Sequence, residues 1–223
     1  MKILKPIFAI RHLEIFAGLV LSVFLFNSIL HANGPHREPA NVAGPDACGE
    51  CHKESLKSWK LSKHFTEYKK MSKSKEARAI AKELGIKRIK KFGNICVNCH
   101  FTSSIVQDKV KTIAGTACES CHGAGKPWIK LHSDFGGKDM KAKDEVPAHK
   151  VERYRKSEAE GLIRQSNLYG IAQNCYSCHF ILNEKLVNQG GHSVDKEFEL
   201  LSWTQGEVRH NVYYSKGNQE APV

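Results

Sequence analysis

All eight cysteines of this 223-residue chain fall within four copies of one five-residue pattern. Cys48-Gly-Glu-Cys51-His52 is the first and Cys96-Val-Asn-Cys99-His100 the second; Cys118-Glu-Ser-Cys121-His122 and Cys175-Tyr-Ser-Cys178-His179 follow. C-x-x-C-H is the attachment signal of a c-type haem. The two thiols add across the vinyl groups, and the histidine falls under the iron as its proximal ligand. Other chemistries explain less. Paired C-x-x-C knuckles hold zinc, but zinc needs no histidine directly after the second cysteine, let alone four times. A thioredoxin-like site needs one C-x-x-C beside a β-α-β pattern, and the chain shows none. Disulfides within the motifs would close very tight, strained loops.

Four covalent haems are therefore expected, numbered here in motif order. They bound the fold class. Apolar residues make up 41% of the chain, and part of that lies in an N-terminal leader, so the protein core is thin and the porphyrins must supply apolar mass. The expectation is a mainly α fold with long irregular loops, organised around four closely packed haems rather than a sheet. Helices are expected over Lys53–Lys70, Lys73–Phe92 (weakened by Gly85), part of 151–172, and Glu197–His210, with 123–150 irregular. Between motifs lie 43, 17 and 52 residues, which is no tandem repeat.

Residues 1–32 read as a signal peptide: Lys2, Lys5 and Arg11 precede the apolar run IFAGLVLSVFLFNSIL at 15–30. An uncleaved membrane anchor is the alternative, although the run is short for a span. Either way the motifs end up on the periplasmic side, free in the periplasm or anchored to the inner membrane and facing it. Residues 33–47 form a Pro/Gly-containing linker, 48–217 the tetrahaem domain and 218–223 a polar tail. The formal net charge of +11 invites a nucleic-acid reading. Removing residues 1–32 takes away three basic residues and one acidic one, leaving +9, and the two propionates of each haem offset most of the rest. With no nucleic-acid motif, the lysines are a solvated surface or a docking patch for an acidic redox partner.

A second axial ligand would have to come from outside the motifs. His36, His64, His132, His149, His192 and His210 are available. His64 lies twelve residues after His52. On one continuous helix that is about 18 Å, too far for both to reach one iron, so His64 should serve a different haem from its neighbour. His132, ten residues past His122, can swing toward another haem as well. His210 ends an apolar helix, where the helix dipole alone favours a histidine. His149 lies in the charged stretch KDEVPAHK, which suits a solvated loop. His192 follows two glycines that permit close approach to a flat haem face.

The segments CGECHKESLKSWKLSKH, CVNCH, GTACESCHGAG followed by His132, CYSCH and EVRHNVYYSKG cover most of residues 46–217. In them the chain resembles the tetrahaem cytochromes c that accept electrons from hydroxylamine oxidoreductase, and related four-haem domains. The resemblance implies a mainly helical fold with haems in closely stacked pairs. It implies that His132 completes haem 1, His64 haem 3 and His210 haem 4, and that haem 2, held by His100, is five-coordinate. His192 departs from that pattern: an open or weakly blocked haem 2 is expected, with ligation by His192 as the runner-up.

The favoured function is electron transfer between periplasmic redox partners, either hydroxylamine oxidoreductase-like proteins or quinol-linked cytochromes, in nitrogen-compound oxidation or respiration. The alternative is a haem enzyme acting on nitric oxide, hydroxylamine or nitrite at an open haem 2. No nucleic-acid partner is expected, and membrane contact only if the leader is retained.

Overall fold

A computed structural model describes residues 38–194, 198–200, 213–214 and 219–220. All lie in the second of the two units into which the chain divides, Gly34–Val223. The leader, His36, His210 and nearly all of the helix expected over Glu197–His210 lie outside the described residues. Among the described residues, no helix is long and apolar enough to cross a membrane.

Helices dominate. In chain order they are α1 (Pro45–Gly49), α2 (Lys53–Leu61), α3 (Lys63–Lys70), α4 (Lys75–Glu83), α5 (Ile95–His100), α6 (Cys118–His122), α7 (Ile129–His132), α8 (Pro147–Ala159) and α9 (Leu168–His179). Most are short, and their ends are set by local chemistry. Ser74 caps α4 by accepting the Ala77 N–H, Asn94 caps α5 through Cys96, and Asn167 caps α9 through Gly170. Pro147 opens α8 at the one position where its missing N–H costs nothing.

The helix expected over Lys53–Lys70 is two helices. Ser62 is extended (φ −78°, ψ 163°); its hydroxyl donates to the Trp59 carbonyl at 2.7 Å and accepts the Phe65 N–H at 3.3 Å. A serine whose oxygen serves both flanking turns ends one helix and starts the next. The bend lets Trp59 and Phe65 meet edge to face at 4.9 Å and pack together on Ala114 and Ala117. The segment expected to run to Phe92 ends earlier, at Glu83, where Ile86 N–H closes back on the Ala81 carbonyl at 2.7 Å. This is the Schellman arrangement, with Gly85 at its left-handed position.

A hairpin stands where no strand was expected. β1 (Thr102–Val106) pairs antiparallel with β2 (Lys109–Ala114). The turn residues Gln107 and Asp108 both have positive φ, 51° and 58°, the geometry of a tight turn whose twist suits flanking strands. Such turns usually announce themselves by Asn-Gly or Asp-Gly, and this one carries no glycine. The protein core is divided and small. Ala81, Ile89, Cys96, Val97 and Phe101 form one buried cluster, and Trp59, Ala114 and Ala117 the other.

Candidate functional site

Each motif sits at a helix end. α5 and α6 each finish on a motif histidine, as does α9 in its last turn, while His52 directly precedes α2. Helical geometry puts the two cysteines of C-x-x-C, three residues apart, on one face, with the histidine one step further round. No two of the eight cysteines are joined in a disulfide.

The glycines about the third motif answer to close approach. A Cβ on Gly115 would lie 2.0 Å from the His64 carbonyl oxygen, so only glycine lets α3 pass this near. Gly123, at φ +84°, would put a Cβ 2.1 Å from the Gly161 carbonyl. Inside the motif, Glu119 is 1% exposed. Its carboxylate accepts N–H bonds from Ala43 and Gly44 at 2.8 Å each and from Gly125 at 2.6 Å. The loop before the first motif is thereby tied to the third. The sequence shows Glu119 only as a filler position of C-x-x-C-H, and its role becomes visible only when residues 43–44 arrive from far away in the chain.

The motifs pair in space. Helix α1, which carries Cys48, packs against α6, which carries Cys118, and α9 packs against α5; the closeness of the two thiols pushes Cys48 up and Cys118 down. Cys99 and Cys178 form the same kind of pair; that contact drives Cys99 up and holds Cys178 down at about 7. First and third motifs are thus neighbours, as are second and fourth. Cys121 feels both Cys175 and Cys178, with burial pushing it to about 12, and the Asn174 amide donates to the Cys121 carbonyl at 2.7 Å. These contacts join the third motif to the fourth.

The histidines outside the motifs then fall into place. The rings of His52 and His132 lie 6.0 Å apart with planes 29° from parallel. His64 and His179 are 6.3 Å apart at 64°, and His100 and His192 are 6.1 Å apart at 45°. Two imidazoles bound to opposite sides of one metal, with metal–nitrogen bonds of about 2 Å, have ring centres roughly 6.3 Å apart. All three pairs match that span. Among the described residues, no group of three or more metal-binding side chains converges on one point; the histidines meet in twos, as axial ligation of a haem requires.

The ring chemistry also fits. Burial, with Arg164 and His52 behind it, pushes His132 down to about 4, and its Nδ1 is buried without a hydrogen-bond partner. A neutral imidazole with an unmatched buried nitrogen suits a metal ligand. Burial together with His192, His64 and His179 likewise pushes His100 to about 4. His122 Nδ1 lies 2.8 Å from the Ile163 carbonyl. A carbonyl can only accept, so Nδ1 carries the proton and Nε2 is left to bind metal.

The ring contacts depart from the ligation the resemblance implied at haem 2, at haem 3 and at haem 4, for which it had named His210. The ring facing His64 belongs to His179, of the fourth motif, not to His122, of the third. The helix arithmetic required only that His64 and His52 serve different irons, and their rings do face different partners. His192, the spare ligand, faces His100. His149 lies in the first turn of α8 with its Nδ1 2.7 Å from Glu145 Oε1, so it is engaged with a carboxylate. Arg153, which also binds Glu145, donates to the His132 carbonyl at 2.8 Å and so holds the backbone of that histidine.

Residues 47–123 match the family described as cytochrome c554 and c-prime. Over 148 residues the chain is 27% identical to cytochrome c-554 of Nitrosomonas europaea, an alignment covering 63% of this chain. It spans 58% of that relative's length. No solved structure matches the chain. The chain is thus similar to a c-type cytochrome over the stretch that carries its first three C-x-x-C-H motifs.

Proposed function

We propose that the protein is a four-haem electron carrier exported to the periplasm, where it passes electrons between redox proteins in nitrogen-compound oxidation or respiration. The observation that carries this reading is the recurring 6.0–6.3 Å separation between a motif histidine and a histidine far along the chain. Haem iron supplies one-electron chemistry, at a potential set by its axial ligands and surroundings. The eight thiols hold the groups covalently. At the three motif histidines so paired, imidazoles would hold both sides of the iron and leave no place there for a substrate, which favours transfer over catalysis. The thiol contacts Cys48–Cys118 and Cys99–Cys178 support neighbouring haems 1 and 3, and 2 and 4, with Cys121 bridging the two sets.

The lysine-rich segment from Lys53 to Lys91 favours an acidic partner, whose encounter it would accelerate. Export rests on Lys2, Lys5, Arg11 and the apolar run that follows. Mass spectrometry of the exported, denatured protein should show four haem additions. Reduced protein should then give up its electrons rapidly to an acidic cytochrome, more slowly as salt rises. Fewer than four haems, stoichiometric zinc, or sustained turnover of hydroxylamine or nitrite would overturn the reading.

A further inference from the structure

We infer that His192 is the second axial ligand of the iron held by His100, so that haem 2 is closed to outside ligands. This rests on the tetrahaem reading and departs from the open site that the family resemblance implies.

Three observations converge. The first is the 6.1 Å separation of the two rings, which falls between the 6.0 and 6.3 Å of the other two pairs. The second is the proton. His192 Nδ1 lies 2.6 Å from the Ser193 carbonyl oxygen; since that oxygen can only accept, Nδ1 is the protonated nitrogen and the Nε2 lone pair is free. This is the tautomer that metal-binding histidines adopt when a backbone carbonyl takes the other nitrogen.

The third is the mounting. His192 follows a π-helical turn, Lys185–Gln189, and its N–H closes back on the Leu186 carbonyl at 3.1 Å. The turn is fastened to the C-terminal end of α4, because the Gln189 amide donates to the Glu83 carbonyl at 3.1 Å. Gly190 backs onto the Leu84 side chain, where a Cβ would come within 3.1 Å of Cδ1. α4 in turn packs through Ala81 into the cluster that contains Cys96 and Val97 of the second motif. The same small body therefore carries both His100 and the mount of His192, which fixes the ring position. Ligation needs only the Nε2 lone pair, displacing a water from the iron with no change of oxidation state.

The test uses the intact four-haem protein. In wild type, haem 2 should take up no carbon monoxide, and whatever the reduced wild type binds sets the baseline from which the variants are read. H192A should retain four haems by mass, gain one high-spin ferric haem, and bind one more carbon monoxide per protein than wild type. Added imidazole should return that haem to low spin. H192M, which offers a thioether in place of the ring, keeps the idea open to refutation should H192A fold poorly: it should stay low-spin and acquire the charge-transfer band of a His/Met haem. Wild type that binds one carbon monoxide per protein, with H192A and H192M leaving that stoichiometry and the spin states unchanged, would overturn the assignment. A haem count of four in that same protein would still leave the carrier reading standing.

Discussion

Replacing Glu119 by glutamine tests whether the first and third motifs are held together by one buried carboxylate. The substitution keeps the shape of the side chain and removes its charge. In the wild type, Oε1 accepts from Ala43 and Gly125, and Oε2 accepts from Gly44. With the amide oxygen in the Oε1 position, two bonds survive as neutral ones, each weaker by roughly 0.5–1 kcal/mol. The NH₂ then points at the Gly44 N–H, donor against donor, and that buried group loses its acceptor at about 1–3 kcal/mol. The total is about 2–5 kcal/mol, which for a chain of this length corresponds to a fall in Tm of roughly 4–20 °C. Guanidinium unfolding of the holoprotein, followed by haem absorbance, reads the loss. Mass spectrometry should still show four haems, because Glu119 ligates nothing. E119A should cost more, since it strands all three N–H groups. A loss below about 1 kcal/mol in E119Q would refute the clamp.

Three further outcomes are expected. H64A should create one high-spin haem, and combining it with C175A and C178A, which removes haem 4, should abolish that signal; persistence of the signal would assign His64 to another haem. H132A should likewise open one haem, and free imidazole should restore its low-spin spectrum without restoring full stability, because unattached imidazole closes no loop. Arg153 holds the Glu145 carboxyl at about 2, below its ordinary 4.5. The folded pKa is lowered, so this pair's contribution is present above 4.5 and fades as pH falls toward 2. The acid-unfolding profile of E145Q should therefore be flatter across that window, and an unchanged slope would dismiss the pair.

What the sequence made legible was the chemistry that repeats. Four C-x-x-C-H motifs point to thioether attachment and proximal ligation without any fold, because neighbouring residues suffice for both. The helical character was readable from spacing; its interruptions were less so. Ser62 reads as an ordinary polar position until its hydroxyl is seen to serve Trp59 and Phe65 together, and Gln107-Asp108 lacks the glycine that marks most tight hairpins. Partner choice among the histidines was the least legible, since it depends on contacts between segments remote in sequence. Spacing kept His64 and His52 apart, but nothing in LSKHF points to His179. Glu119 was invisible for the same reason.

That remoteness bears on what holds the fold together. Among the described residues, the protein's own buried clusters comprise five residues and three, so links between remote segments carry weight. His52 and His132 close a loop of about 80 residues, and in chain-entropy terms a cross-link of that length constrains the unfolded state by about 4 kcal/mol. The pairs are also interleaved. His64 and His100 lie between His52 and His132, while their partners His179 and His192 lie beyond both. Interleaved links cannot be released one module at a time: opening the first pair leaves its segments still spanned by the other two. Ligation of this kind would bind the domain into one cooperative unit. The same pairing of imidazoles that closes an iron to substrates would then also supply long-range cohesion.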